Sequence, residues 1–446
     1  MLSFILLGTF ILLLLLDVPI SFCMILSSLA TLLYADIDPL MVGLEVTRSL
    51  TSFYAFLAVP FFILAGELMN HGGLSHRLIA FVKSLIGHHK IGLPAVTTIS
   101  SQLFGSVSGA SAATAAAIGG FMIPEMEKNK YPRAFATAIT ACAGTTGALI
   151  PPSITLIIYG TITGISIEKL FVAGIIPGLL VGLGIILMAK RITRKMDITL
   201  EEKAPWSTVR KSAYQAIFAV LLTFLIFGGI LGGIFTATEA SAVAVIYSAF
   251  VGFFIYKKLH LKDLPQILVR SAKTTTSLSF LIACASLFAW TMSVVRIPQA
   301  MTQGLLEFTD LILQPFAADM GEETLFLVRK IIIILILNVL LLIVGMFIDA
   351  GPGLLIVVPV VLPISEAIEM STGLSAIHFG LIVVSNLIIG LVTPPVGSTL
   401  FVASSVGKVG MLQITPYVLR FLMVMILVQL LISFIPAITT WLPSMM

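Results

Sequence analysis

Apolar segments long enough to cross a membrane recur through the chain, separated by short polar stretches. In the first half, apolar runs at about 2–16, 20–35 and 53–70 predict spanning helices, although the first two are short for a bilayer core of ~30 Å. The first run has neither a basic leader nor a small-residue cleavage site, so it predicts a mature membrane helix rather than a signal peptide. Residues 170–189 predict a further crossing, and a polar link at 190–211 joins the two halves.

Two stretches have the period of an amphipathic helix instead of uniform hydrophobicity. Residues 72–90 place apolar side chains on one face and basic ones elsewhere, which is typical of a helix on the membrane surface. Residues 296–316 repeat the pattern in the second half. The apolar positions are Leu74, Leu78, Phe81, Val82 and Leu85 in the first stretch, and Met301, Leu305, Phe308 and Ile312 in the second.

Residues 92–128 are rich in small and hydroxylic side chains at their centre, near Ser106 to Ser111. Each arm of this segment is too short to span comfortably, so we favour a helical hairpin that enters and leaves on one side. The alternative is one spanning helix with a small-residue packing face. A second hairpin is predicted over 325–369, with its tip at Asp349-Ala350-Gly351-Pro352-Gly353.

Pairs of adjacent prolines interrupt the apolar segments 133–164 and 376–405. The sequences are GALIPPS and GLVTPPVGST. Proline removes a backbone donor and clashes with the preceding turn, so both segments are predicted to be broken helices. Carbonyls freed within a bilayer must be buried in protein, line a wet cavity or bind an ion. Broken helices at corresponding positions of two halves therefore point to a transporter's binding site.

An offset of 243 residues aligns the two proline pairs and repeats the order of elements, so residues 1–205 and 206–446 are predicted to be repeats. The second half adds predicted helices at 214–233, 237–256, 274–295 and 416–440. With five crossings and one hairpin in each half, the second repeat is inverted relative to the first. The predicted fold is an all-α integral membrane protein with about ten spanning helices and two re-entrant hairpins in an inverted repeat.

The distribution of basic residues gives the orientation independently. Twenty of the 25 Lys and Arg residues fall on one predicted side, which the positive-inside rule assigns to the cytoplasm. Both termini are then expected on the outer side. The composition, 58% hydrophobic and 10% charged, excludes a soluble enzyme and a nucleic-acid-binding protein. Membrane lipid is therefore an expected partner, and nucleic acid is not.

These motifs resemble the large membrane subunit of the tripartite ATP-independent periplasmic (TRAP) transporters, the DctM/SiaM type. The resemblance rests on GSVSGASAATAAAIGGFMIPEM, GALIPPS, GLVTPPVGST, FFILAGELMN and GIFTATEASAVAVIY, and extends over essentially the whole chain. It implies a sodium-driven elevator transporter of a bacterial inner membrane that imports organic acids such as C4-dicarboxylates or sialic acid. It also implies a small four-helix membrane subunit, encoded separately, and a soluble periplasmic binding protein as partners.

The same resemblance assigns site residues, with sodium as coupling ion and no other cofactor. Ser106, Ser108, Gly147, Ile150 and Pro152 are implied at a first sodium site. Gly345, Asp349, Gly390, Thr393 and Pro395 are implied at a second. Substrate contacts are expected from Ser111, Ser153, Ser398 and Thr399. This chain has Ala110-Ser111 where family members often have two serines after the hairpin glycine.

Physical chemistry supports an ion site but leaves individual roles open. Hairpin tips and broken helices supply hydroxyls and carbonyls, an oxygen cage suited to a monovalent cation, and helix N-termini suit a carboxylate. Each hydroxyl can instead bond its own helix backbone. Asp349 is either an ion-site or gating acid, or a helix cap. For Glu67 and Glu239, near helix ends, we favour a structural role at the membrane interface.

Three functions fit a membrane protein of this pattern. A sodium-coupled transporter of an acidic solute is favoured, and a stand-alone symporter, a passive facilitator or a channel of the same architecture is the alternative. A membrane enzyme lacks support, since the sequence has no paired acids, HExxH motif, Ser/His/Asp grouping or nucleotide loop. Proton coupling is disfavoured because few carboxylates lie within the apolar segments to form a relay.

Overall fold

The computed structural model describes residues 1–52, 54–315 and 321–446, and the regular elements in these ranges are all helical. The first half contains α1 (Leu2–Leu15), α2 (Ile20–Tyr34), α3 (Leu40–Ser52), α4 (Ala58–His71), α5 (Leu74–Ile86), α6 (Gly92–Ser108), α7 (Ser111–Lys128), α8 (Arg133–Leu149), α9 (Ile154–Thr163) and α10 (Ile167–Thr193). The second half contains α11 (Trp206–Leu231), α12 (Ala237–Phe250), α13 (Leu264–Val294), α14 (Ile297–Leu313), α15 (Glu322–Phe347), α16 (Ala350–Ala367), α17 (Gly373–Gly390), α18 (Ser398–Gly407), α19 (Met411–Phe434) and α20 (Ala437–Thr440).

Eight helices of the described ranges are long and apolar enough to cross a membrane, or nine if the bent pair α8 and α9 forms one span. They are α10, α11, α12 with the π-helical turn that extends it to Ile255, α13, α15, α16, α17 and α19. The chain is therefore a multi-pass membrane protein. The helices α1 and α2 are apolar but short, as their sequences predict, so length alone does not fix the total of about ten crossings.

The region after α2 differs in detail from the sequence prediction. Residues 40–52 form α3, a helix that the apolar pattern did not predict because Glu45 and Arg48 interrupt it. The predicted span at 53–70 begins as a single 3-10 turn, Tyr54–Leu57, and continues as α4. Its first residue, Phe53, lies outside the described residues.

The two amphipathic stretches are helical but use their apolar faces differently. In α5, Leu74, Leu78 and Val82 are buried, so this face packs onto the protein. In α14, Met301 and Phe308 are 43% and 53% exposed, so the apolar stripe faces outward. Residue 316, the last of the predicted stretch, lies outside the described residues.

The segment 92–128 consists of two antiparallel helices. Near the break at Gly109-Ala110, the hydroxyls of Ser108 and Thr114 are 3.0 Å apart. Toward the other end, the Thr97 hydroxyl lies 3.6 Å from the Met126 sulfur. Contacts at both ends define a hairpin whose tip carries two residues outside helical geometry.

The segment 325–369 has the same shape, with its break at Ile348-Asp349. Gly353, just after the break, packs against Val344 just before it. At the far end, Leu327 of α15 and Met370, which follows α16, line one small cavity. The chain therefore folds back on itself in both predicted hairpins.

Both proline pairs break helices, as their sequences predict. The axes of α8 and α9 differ by 40° across the first break, and residues 391–397 separate α17 from α18 at the second. Each Pro-Pro peptide bond is cis. Helix α8 is buried without interruption from Phe135 to Leu149, and α17 from Ala376 to Gly390. These two half-helices form the centre of the molecule.

The two halves exchange contacts around this centre. Helix α9 of the first half packs against α16 of the second, where Ile158 meets Gly351. Helix α18 of the second half packs against α7 of the first, where Val406 meets Gly119. Each broken helix thus ends on the hairpin of the opposite half.

Candidate functional site

Each hairpin meets the broken helix of its own half through glycine backbones. A Cβ added to Gly105 of α6 would lie 2.0 Å from the Cα of Gly147 in α8. A Cβ added to Gly390 of α17 would lie 2.6 Å from the Cα of Gly345 in α15. Such distances are too short for any side chain, so only glycine permits this approach. The contact holds each hairpin tip beside a proline-induced break.

A cavity of about 500 Å³ lies where the two hairpin tips meet. The first tip contributes Ser108 to Ala113, and the second contributes Asp349, Ala350 and Gly351. Helices α8 and α9 contribute Ala148, Ile154, Thr155 and Ile158. The remaining wall includes Glu67 and Asn70 of α4 and Arg270 and Thr274 of α13. Small, apolar and hydroxyl groups thus surround three charged side chains in the lining.

The first proline pair deprives two carbonyls of their helical donors. In an α-helix the carbonyl of residue i accepts the N–H of residue i+4, and positions 151 and 152 have none. The Ala148 carbonyl accepts the hydroxyls of Ser153 and Thr155 instead. The Gly147 carbonyl has no hydrogen-bond donor within the described part of the chain. It is therefore a free oxygen next to the hairpin.

Other members of the predicted first sodium set are only partly brought together. The Ser108 hydroxyl lies at the tip, and the Pro152 carbonyl is beside Gly109. Ile150 caps α8, where its N–H donates to the Thr146 carbonyl at 3.0 Å. The Ser106 hydroxyl instead donates to the Leu103 carbonyl of its own helix at 2.8 Å and lies 3.4 Å from the Thr223 hydroxyl. That hydroxyl faces α11 rather than the tip.

At the second break, the backbone carbonyls that lose their helical donors accept hydrogen bonds from residues 393 and 399 instead. The Gly390 carbonyl accepts the N–H of Thr393 at 2.9 Å, and the Leu391 carbonyl accepts the N–H of Thr399 at 3.1 Å. The Thr393 hydroxyl donates to the Ile389 carbonyl at 3.2 Å. Pro395 is exposed. Of the predicted second set, Gly345 and Asp349 belong to the hairpin, and Gly390 packs against it at Gly345.

Asp349 connects the second tip to the second broken helix. It occupies the N-cap position of α16, but its carboxylate makes no capping hydrogen bond. It accepts a hydrogen bond of 3.0 Å from the Ser398 hydroxyl at the start of α18, and it lines the cavity. The carboxylate therefore connects the hairpin tip to the start of α18, while its role as an ion-site or gating acid stays a prediction.

The four predicted substrate contacts have different surroundings. Ser111 is buried, lines the cavity and has a hydroxyl without a partner in the described ranges. The Ser153 hydroxyl caps α9 by accepting the N–H of Leu156 at 3.3 Å. Ser398 is bound to Asp349. The Thr399 hydroxyl is buried and also lacks a partner in those ranges, but Thr399 is not a lining residue.

Sequence reasoning missed several lining residues. Thr155 lines the cavity and aligns with Ser398 under the 243-residue offset, so the internal repeat could have identified it. Glu67, for which a structural role was favoured, is part of the wall. Its carboxylate pairs with Arg270, with 3.3 Å between Oε1 and Nε. No local pattern relates these two residues, because only the packing of α4 against α13 brings them together.

A separate ionic cluster ties the first hairpin to the surface helix α5. Lys83 Nζ lies 2.6 Å from Glu125 at the end of α7 and 2.9 Å from Glu201 in the link between the halves. The hydrogen bond from Lys83 holds the pKa of Glu125 below its usual value, although partial burial opposes this shift. These ion pairs thus connect the end of α7 to α5 and to the link between the halves.

The comparisons with known proteins agree on one family. Residues 7–438 match the family described as "Tripartite ATP-independent periplasmic transporter, DctM component". The C4-dicarboxylate TRAP transporter large permease protein DctM of Pseudomonas aeruginosa is 38% identical over 88% of this chain and 86% of its own length. The sialic acid TRAP transporter large permease protein SiaM of Vibrio cholerae is 33% identical over 96% and 95%.

Among solved structures, MtrF of Neisseria gonorrhoeae, an antimetabolite efflux pump, superposes with a TM-score of 0.58 at 14% sequence identity. The superposition covers 90% of this chain and 86% of MtrF, and at this identity it shows a shared fold. The matched family and the relatives named as large permeases define the class of this chain as a membrane transporter rather than an enzyme. The chain belongs to the DctM component family of tripartite ATP-independent periplasmic transporters, which confirms the family predicted from the sequence.

Proposed function

We propose that this protein is the large permease subunit of a sodium-coupled TRAP transporter that imports an organic acid. The observation that carries the proposal is the cavity where both hairpin tips meet the broken helix α8–α9. In an inverted repeat, such a meeting point is the one place that can be reached from either side of the membrane. The related permeases named for C4-dicarboxylate and sialic acid support a carboxylate as the transported group.

The first sodium ion would bind beside the free carbonyl of Gly147. The Ser108 hydroxyl at the hairpin tip and the Pro152 carbonyl beside Gly109 are neutral oxygens, which suit a monovalent cation. The Ile150 carbonyl completes the predicted set at the end of α8. Ser106 would contribute only if its hydroxyl turned away from Thr223, so its role rests on the family resemblance.

The second sodium ion would bind between Asp349, Gly345 and Gly390. At this site the Asp349 carboxylate would take the part that the free Gly147 carbonyl has in the first site, because the Gly390 carbonyl already accepts a hydrogen bond within its loop. Thr393 and Pro395 belong to the same loop and are retained as candidate ligands through their backbone oxygens. The Ser398 hydroxyl donates to Asp349, so this hydrogen bond would change when the ion binds the carboxylate.

The acidic solute would occupy the cavity itself. Helix α7 begins at Ser111, and its first residues, Ser111 to Ala113, line the space, where the Ser111 hydroxyl has no partner among the described residues. Helix N-termini carry partial positive charge and favour a carboxylate. Thr155 lines the same cavity, whereas Ser153, Ser398 and Thr399 do not and are kept as candidate contacts from the family resemblance. A bound cation and a bound carboxylate attract each other across the tips, which would couple their binding.

Transport would proceed by an elevator motion in which hairpins and broken helices move against a scaffold. The glycine contacts support this division, because they join each hairpin closely to its broken helix. We place the protein in a bacterial inner membrane with both termini periplasmic, from the distribution of basic residues. A small membrane subunit and a periplasmic binding protein complete the system that the family description implies.

Reconstitution tests the proposal directly. The permease and its small subunit are placed in proteoliposomes, and the binding protein loaded with succinate or N-acetylneuraminate is added outside. Accumulation of the acid against its gradient is expected only with an inward sodium gradient. Equilibration without accumulation would instead identify a passive facilitator, and proton-driven accumulation without sodium would remove sodium as the coupling ion.

A further inference from the structure

Arg270 is the only cation among the residues that line the central cavity in the described part of the chain. The other charged lining residues are the carboxylates Glu67 and Asp349. An anionic solute that enters this space therefore meets two like charges and one opposite charge.

The ion pair of Arg270 with Glu67 leaves most of the guanidinium free. Only Nε approaches the carboxylate, at 3.3 Å, and the two terminal nitrogens have no hydrogen-bond partner among the described residues. The Arg270 side chain is 67% exposed, whereas that of Glu67 is 23% exposed. A planar guanidinium with two free N–H groups matches the two oxygens of a carboxylate.

The wall that carries this pair faces the first hairpin tip. Gly66, the neighbour of Glu67 in α4, touches the backbone of Ser108. Thr274, one turn after Arg270 in α13, also lines the cavity. The guanidinium and the α7 N-terminus at Ser111 thus border one continuous space, each with unpaired donors.

We propose that Arg270 binds a carboxylate of the transported acid, and that Glu67 competes with the solute for this guanidinium. The inference rests on the proposed function and names a residue of the scaffold wall as a second anion-binding point. A solute with two anionic or strongly polar ends then spans from Arg270 to the hairpin tip. In the empty cavity Glu67 stays paired with Nε, so Arg270 keeps a counter-ion while its terminal nitrogens remain open to the solute.

Two substitutions separate this role from that of a structural salt bridge. Arg270→Gln removes the binding group, and we expect KM to rise about tenfold, the size of one lost charge-assisted hydrogen bond. Glu67→Gln removes the competitor, so KM is expected to fall. A purely structural pair would respond alike to both changes. Uptake is measured with whichever of succinate and N-acetylneuraminate the wild-type protein accumulates.

The same helix offers a matched control. Lys273 carries the same charge on α13, is exposed and does not line the cavity, so Lys273→Gln is expected to leave KM unchanged. Arg270→Lys keeps the charge without the planar fork and is expected to restore part of the affinity. Equal KM changes for Arg270→Gln and Lys273→Gln, or KM increases for both Arg270→Gln and Glu67→Gln, would overturn the proposal.

A second measurement needs no transported solute. Thr274→Cys places a thiol one turn from Arg270, while the native Cys23, Cys142 and Cys284 are buried. An anionic methanethiosulfonate should label this thiol faster, relative to a cationic one, when Arg270 is present than in Arg270→Gln. An unchanged ratio would refute anion attraction at Arg270. If the wild type accumulates neither acid, KM values cannot be compared for these two solutes, and the labelling ratio alone decides the inference.

Discussion

The hydroxyl of Ser398 donates a 3.0 Å hydrogen bond to Asp349, which joins the first residue of α18 to the tip of the second hairpin. The backbone makes a second link at the same place, where the Gly397 N–H donates to the Met346 carbonyl at 2.9 Å. The second hairpin and the second broken helix are therefore tied together at the acid that the proposed mechanism assigns to sodium.

Loss of this acid should change the response to sodium. Asp349→Asn removes the charge while it keeps the shape, and we expect the sodium concentration for half-maximal uptake to rise at least tenfold. Ser398→Ala should give a smaller rise, because it removes one neutral hydrogen bond to the carboxylate. Ser405→Ala, on the exposed side of α18, is the control. Sodium dependence identical to wild type in Asp349→Asn would contradict the second site.

A substitution in the first proline pair should weaken the sodium dependence of uptake more than one in the second pair. Pro151→Ala restores an N–H where the Gly147 carbonyl lacks its helical donor, and this N–H would compete with the ion. In the second half, the Thr393 N–H already donates to the Gly390 carbonyl. The N–H that Pro394→Ala restores therefore competes less with an ion for this oxygen. Sodium titration of uptake should therefore show a larger shift for Pro151→Ala.

Pro416→Ala provides a baseline for these proline variants, since Pro416 is exposed in the first turns of α19. Its sodium titration should match the wild type. Equal shifts for Pro151→Ala and Pro394→Ala would show that the free carbonyl of Gly147 has no special part in ion binding.

The glycine contact between α6 and α8 should tolerate no side chain. The added methyl group of Gly105→Ala would overlap the Gly147 backbone, so α6 must move away from α8. We expect a loss of ~1–3 kcal/mol in stability, as for other overpacked cores, together with loss of uptake. Thermal unfolding of the purified protein measures the first effect.

Gly120→Ala in α7 of the same hairpin is the matched control. An added Cβ there meets no atom within 4 Å, and alanine is the better helix former. Its melting temperature should equal or exceed that of the wild type. If Gly105→Ala were as stable and as active as Gly120→Ala, close backbone packing would not be required for function.

The cluster at the exit of the first hairpin should make stability depend on pH. Because Lys83 lowers the pKa of Glu125 in the folded state, the pair stabilises the fold above the unfolded pKa of a glutamate, ~4.3. This contribution, about 1 kcal/mol for a partly exposed pair, is lost as pH falls through the folded value. Glu125→Gln should remove this part of the pH dependence in unfolding measured from pH 7 down to about pH 2, well below the unfolded pKa of a glutamate.

Glu202→Gln is the corresponding control. Glu202 is exposed next to Glu201 and has no ion-pair partner in the described ranges. Its stability profile should follow that of the wild type over the same interval. A profile for Glu125→Gln that is parallel to wild type would mean that Lys83 does not stabilise the folded state through this carboxylate.

Local chemistry predicted the elements of the fold well. The proline pairs located both helix breaks because they remove donors at fixed positions, and the small residues around Gly109 located a tip. Helix α3 escaped prediction because Glu45 and Arg48 lower its hydrophobicity below that of a span. Ser153 stays a predicted substrate contact, and its hydroxyl already makes two local hydrogen bonds, from the Leu156 N–H and to the Ala148 carbonyl.

The charged wall of the cavity shows the limit of reading one sequence. Arg270 was counted among basic residues near a helix end, and Glu67 was assigned to an interface. Both assignments follow from position along the chain, yet the two residues meet because α4 and α13 pack side by side. Long-range pairs of this kind leave no periodic signal.

The exchange of contacts between halves also bears on how the protein is made. Helix α7 packs against α18, and α9 packs against α16, so neither half can bury these faces alone. During synthesis, the face of α7 that packs against α18 lacks this contact until nearly the whole chain has left the ribosome. Assembly of the central cavity is therefore a late event, and truncated chains are expected to insert yet remain open to membrane proteases.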